Sequence, residues 1–79
     1  MRLDKWLKVS RIIKRRTVAK EVCDAGKAFV NGRPAKAGTE VEVGDEVTLM
    51  FGTRTLRVRV LATPETVSAD QAHTLYQEL

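Results

Sequence analysis

Arg2, Lys5, Lys8, Lys14, Arg15, Arg16, Lys20, Arg33 and Lys36 are the side chains of this sequence best placed to do chemistry, and the chemistry open to them is neutralisation of phosphate. With Arg11 and Lys27 they make eleven cations in the first thirty-six residues, against Asp4, Glu21 and Asp24, a balance of +8. The remaining forty-three residues set Arg54, Arg57 and Arg59 against seven acids, a balance of −4. Charge segregated this sharply repels itself and works against compaction. Its benefit is a field aimed at a polyanion, and nucleic acid is the first candidate.

Other chemistries lack their parts. His73 has no serine, cysteine or second carboxylate partner at usable spacing, so it reads as a surface residue rather than a base. One cysteine, Cys23, cannot form an internal disulfide, and with one histidine it cannot assemble a zinc site. There is no glycine-rich phosphate loop. The expectation is a binding protein, not an enzyme, with no cofactor and no metal. At 79 residues the chain makes one domain that buries about 60% of its unfolded surface. No window approaches the eighteen or so apolar residues of a membrane span, and no secretion signal is apparent, so a cytoplasmic monomer without membrane contact is expected.

The elements that must position the cations can be read from periodicity. At one hundred degrees per residue, Leu3, Trp6, Leu7 and Ser10 share one helix face, with Asp4, Lys5, Lys8 and Arg11 opposite. Ile12 would fall on the polar side of a continuous helix, so the chain must change direction between Ser10 and Ile13. Lys14-Arg15-Arg16 is then a connector and Thr17 the N-cap of a second helix, whose face is Val18, Ala19, Val22, Cys23 and Ala25 and whose stop is Gly26. Arg15, Arg16 and the free amides around Thr17 can converge on a phosphate there. Beyond Gly26 the period drops to about two. Ala28-Phe29-Val30 enters an Asn31-Gly32 turn, Thr39 to Val43 alternates, and Val47, Leu49 and Phe51 form one strand face. Gly52 to Arg54 is a hairpin tip before Leu56, Val58 and Val60. After Pro64, Ser68-Ala69-Asp70-Gln71 has the pattern of a capping box, with Ala72, Leu75, Tyr76 and Leu79 as the stripe of a terminal helix. The fold class expected is α+β: two N-terminal helices packed on a small, mostly antiparallel sheet, plus a short C-terminal helix.

Four features together resemble the ribosomal-protein-S-four-type RNA-binding domain, or alpha-L motif. They are Arg2-Leu3-Asp4-Lys5, the Lys14-Arg15-Arg16-Thr17 junction with Ala19, Val30-Asn31-Gly32 leading to Lys36, and Gly44-Asp45 before a strand. The resemblance covers residues 1 to about 60, which leaves 61–79 as a C-terminal extension of the same compact unit. A chain that is nearly all this domain, with Ala72, Leu75 and Tyr76 in its tail, is similar to the stand-alone fifteen-kilodalton heat-shock protein family. Its Lys8–Arg16 segment and its shortness are most similar to the RqcP (YabO) branch of bacterial ribosome-associated quality control.

That resemblance implies partners which charge alone does not: the rRNA of a large ribosomal subunit, the peptidyl-tRNA retained on it after a stalled ribosome splits, and an RqcH-like tailing factor that adds C-terminal alanines. The heat-shock relatives instead free the blocked subunit, and a general rRNA-binding assembly factor is a further alternative. On the matching positions it implies RNA contacts at Arg2, Lys5, Lys8, Lys14, Arg15, Arg16, Thr17, Lys20, Asn31, Arg33 and Lys36. Arg16 and Thr17 come first, and Asp4 orients Lys5 or Arg16. Lys27, Arg54, Arg57 and Arg59 lie outside this pattern or beside acids on a strand surface. Trp6, Phe29, Phe51 and Tyr76 sit in apolar stripes or strands, so structured RNA is favoured over base stacking on a single strand. A small protein-binding adaptor and a DNA-binding helix-turn-helix are the rival classes. Salt separates the first: phosphate contacts predict log affinity falling against log salt by roughly 0.7 to 0.9 per contact, whereas an apolar interface is nearly flat.

Overall fold

Leu3, Trp6 and Leu7 recur at the spacing of one helix face, and the computed structural model, which describes residues 1–79, buries all three completely on α1 (Leu3–Val9). Seven residues are too few to hold a helix in water by propensity, so packing must hold it. Trp6 alone is worth about 3–5 kcal/mol on truncation to alanine, a large part of a small domain's stability. The chain turns where expected: Ser10 is the C-cap, and Arg11 takes a left-handed φ of 64° with its N–H donating to the Lys8 carbonyl at 3.1 Å.

α2 (Arg16–Asp24) buries Ala19 and Cys23 against α1 and the sheet. Its start differs from expectation. Arg15, in extended backbone and without a side-chain capping bond, is the N-cap, which leaves Thr17 exposed in the first turn. Arg16 is tethered to Asp4 of α1, and that tie seats the helix one residue earlier than Thr17 would. Val18 and Ala25 are exposed, because on so short a helix only the i, i+4 pair Ala19 and Cys23, with Val22 at its edge, reaches the core. The stop is as expected. Gly26 at φ 78° donates to the Cys23 carbonyl and Lys27 to that of Val22, a Schellman pair that only a left-handed residue completes.

The sheet has the order β2-β1-β3-β4-β5, with β1 Ala28–Val30, β2 Arg33–Pro34, β3 Glu46–Phe51, β4 Arg54–Val60 and β5 Tyr76–Glu78. Every neighbouring pair is antiparallel. Asn31 (φ 53°) and Gly32 (φ 80°) make the two-residue turn that joins β1 to β2. Register then lines up inward rows Val30–Val47–Val58 and Ala28–Leu49–Leu56 beneath the helices. Phe29, Thr48 and Arg57 form an outward row.

Three further expectations need correction. Thr39 to Val43 is no sheet strand: its backbone pairs with the N-terminus instead, through Leu3 N–H to Thr39 O at 2.8 Å, Val41 N–H to Met1 O at 2.8 Å and an isolated Arg2–Glu40 bridge. Phe51 closes the β3–β4 hairpin and is exposed, since the sheet has outrun the helices by that point. The C-terminal helix is a 3-10 helix, Ala69–Leu75, without a side-chain cap from Ser68, whose carbonyl accepts from Gln71 N–H at 3.0 Å instead. Ala72 and Leu75 are buried as read, but Tyr76 leaves the helix because the open edge of β4 offers it a ladder, Val60 to Tyr76 and Val58 to Glu78. No helix is long and apolar enough to cross a membrane.

Candidate nucleic-acid interface

Asp4 is the pivot of the cationic surface. It sits on α1 facing the start of α2, and its carboxylate, only 4% exposed, receives two guanidinium groups. Arg2 Nε donates to one oxygen at 3.2 Å, Arg16 Nε lies 3.3 Å from the other, and the Lys5 backbone N–H donates at 2.8 Å. Burial pushes this carboxyl up, but the hydrogen bonds from Arg2 and Arg16, the Arg16 charge and the Lys5 amide outweigh it and hold the group below its ordinary range. Two guanidinium groups on one carboxylate leave a surplus positive charge whose direction is fixed. Both arginines remain about half exposed, so each still has donors facing solvent.

Beside this pivot a groove of about 320 Å³ runs between α1 and residues 65–67. Lys5, Lys8, Val9, Arg11 and Arg16 line one side; Glu65, Thr66 and Val67 line the other. Glu65 pairs with the Lys5 ammonium across the opening, and hydrogen bonding and charge from Lys5 lower its pKa. Arg11 enters the groove because its left-handed backbone turns the chain there. That conformation costs an L residue other than glycine roughly 1–2 kcal/mol. Sequence reading placed Arg11 on the basic face but did not single it out; its signal was the Ser10–Ile13 change of direction.

The N-terminus of α2 breaks a local rule in the same place. Its first turn has no acid, and Lys14, Arg15 and Arg16 crowd the positive end of the helix dipole, which destabilises the helix unless an anion approaches. All three are exposed, as is Lys20 on the outer face of α2. Arg33 and Lys36 are exposed on and just after β2, and do not line the groove. Asn31 sits at the hairpin tip with its amide engaged internally: Nδ2 donates to Asp45 at 3.1 Å and Oδ1 accepts the Glu46 N–H at 2.9 Å. It braces β1 against β3.

The remaining singled-out groups are structural. Trp6 is fully buried and its indole N–H donates to the Ala62 carbonyl at 3.0 Å, so it is core rather than a stacking surface. Burial, with the charges of Asp4 and Asp24, pushes the Cys23 thiol up to about 11, far from the reactive thiolate range. His73 is exposed. Arg57 pairs with Glu46 on the outward face of the sheet, away from the helices.

A family model described as the S4 domain matches residues 1–47. Relatives from several bacteria carry the name RQC P-site tRNA stabilizing factor. That of Halalkalibacterium halodurans is 56% identical over 98% of this chain and 88% of its own length. That of Bacillus subtilis is 50% identical over 96% of this chain and 88% of its own length. Among solved structures, the trimeric heat shock protein 15 of Vibrio cholerae superimposes with a TM-score of 0.91 at 34% identity, covering all of this chain and 81% of that one.

Proposed function

Since the chain belongs to the S4-domain family, within the group that contains the RQC P-site tRNA stabilizing factors and heat shock protein 15, we propose that it binds structured RNA on a stalled large ribosomal subunit and steadies the peptidyl-tRNA held there. The observation that carries this reading is the Asp4-centred arrangement. It aims Arg2 and Arg16 outward from the α1–α2 junction, beside Lys5 and Lys8. Such a surface holds phosphates by geometry and charge, without reading base edges. Lys14, Arg15, Thr17, Lys20, Arg33 and Lys36 extend the contact over the helix pair and β2. The protein acts by binding alone, as a monomer in the cytoplasm, and supports alanine tailing by an RqcH-like factor rather than simple release of the subunit. The high identity to relatives named for tRNA stabilisation favours that output.

The test is sedimentation with large subunits that do or do not carry peptidyl-tRNA, across a salt series. Retention should be strongest with peptidyl-tRNA and should fall against log salt by roughly 0.7 to 0.9 per phosphate contacted. Indifference to ribosomes and tRNA at low ionic strength overturns the reading. In a reconstituted tailing reaction, omission of the chain should shorten alanine tails if it supports tailing, and leave them unaltered if its output is rescue.

A further inference from the structure

One acid lines the cationic groove, brought there from sixty residues away. Glu65 pairs with Lys5, yet the loop carrying it is already anchored without that pair: the Ala62 carbonyl accepts the Trp6 indole N–H, and Leu61 and Ala62 donate to the Leu75 carbonyl. Its side chain is 80% exposed, so an ion pair with it adds little to folding. Arg11 and Lys8, on the same wall, make no salt bridge with any carboxylate. Arg11 is also held in a backbone conformation that an arginine adopts only under constraint. A carboxylate on one lysine of a groove with unpaired cations stands where a phosphate oxygen would be attracted.

We propose that this groove is a phosphate subsite of the RNA interface, that Arg11 contacts the phosphate together with Lys5 and Lys8, and that Glu65 occupies the subsite as an internal carboxylate until RNA displaces it. The inference rests on the RNA-binding reading and adds to it a contact residue and a built-in competitor. Entry of a phosphate transfers Lys5 from Glu65 to RNA. The freed carboxylate then gathers a cation from solution, so the wild-type chain releases one counterion fewer than its phosphate contacts imply. Glu65 thereby weakens tight binding to any stray polyanion and is overcome only where several phosphates engage the helix pair at once.

The test compares two charge-matched variants, Glu65→Gln and Glu46→Gln, and a third, Arg11→Gly, by titrating labelled chain with large ribosomal subunits carrying peptidyl-tRNA over a salt series. Each glutamate variant removes one acid and one arginine or lysine pair, but Glu46 lies on the sheet face. Glu65→Gln should bind about two- to fivefold tighter at low salt, with a slope steeper by roughly 0.7 to 0.9, while Glu46→Gln stays within about twofold of wild type. Arg11→Gly should bind about three- to tenfold more weakly, with a shallower slope, although its thermal midpoint is unchanged or raised because glycine relaxes the left-handed turn. Equal behaviour of the two glutamate variants, or wild-type affinity for Arg11→Gly, overturns the subsite while leaving the RNA reading intact. Failure of the wild-type chain to bind subunits at all overturns both.

Discussion

Two carboxylates that hold arginines lie on opposite sides of the sheet and differ in burial. Asp4, 4% exposed on the helix side, is shared by Arg2 and Arg16; Glu46, 27% exposed on the outward face, serves Arg57 alone. The first arrangement gathers two positive charges on one negative and locks their direction from below. The second cancels charge one for one in water, where such a pair contributes about 0–1 kcal/mol and orients nothing beyond itself. A buried acid can therefore serve a cationic surface by aiming it, while an exposed acid lowers its field. Glu65 is more exposed than either, at 80%, but lies inside the cationic groove.

Arg16 is the side chain on which the aimed side depends most. Arg16→Ala should reduce affinity for large subunits by at least about tenfold, enough to abolish co-sedimentation. Its thermal midpoint should move by less than about 4 °C, because Arg2 still satisfies Asp4 and the loss to folding stays under roughly 0.5 kcal/mol. Wild-type retention of this variant would refute the assignment of the helix junction as the RNA surface.

A smaller binding effect, with a larger stability effect, is expected for Asp4→Asn. The amide keeps the shape but loses the charge that aims both guanidinium groups, so binding should weaken about three- to tenfold and stability fall by about 1–3 kcal/mol. Its pH dependence has a definite sign. The folded-state pKa of Asp4 lies below its ordinary 3.8, so the unfolded chain binds more protons between the two values. The contribution of the carboxylate is fully present above that ordinary value and is lost as pH falls through the folded one. Urea unfolding of wild type and Asp4→Asn should give a constant gap from pH 7 to about 5 that narrows below about pH 4. A gap that narrows above pH 5 would mean that Asp4 is not held by the arginines.

How much of the helix pair is legible in the amino-acid order follows from the range of the interactions: its turn between Ser10 and Ile13 is local, whereas the start of α2 at Arg16 rather than after Thr17 depends on the tie to Asp4. Leu3, Trp6 and Leu7, Gly26, and Asn31-Gly32 each carry their signal within one turn of chain, and the structure places them as read. The sequence pattern gives Asp4 an orienting role, but its sharing between Arg2 and Arg16 depends on how α1 and α2 cross, and no local period encodes that. The Lys5–Glu65 pair spans sixty residues and is equally silent. At Ser68 the capping signature is satisfied by a 3-10 turn bonded through backbone alone, and Tyr76 obeys the open edge of β4 rather than its helical spacing. Thr39 to Val43 alternates like a strand because Val41 must point inward, yet the N-terminal residues had already claimed its hydrogen bonds.

The smallest effect belongs to the sheet face. Arg57 lies on β4 opposite Thr48, and its guanidinium is engaged by Glu46. A phosphate approaching it must displace a carboxylate without help from neighbouring unpaired cations on an adjoining helix, so Arg57→Ala should change subunit affinity by no more than about twofold. Its salt slope should match wild type, since an arginine already paired with a carboxylate releases no counterion when it is removed. A loss equal to that of Arg16→Ala would carry the RNA footprint over the sheet, and the contrast between an aimed pair and a cancelled pair would no longer separate the two faces.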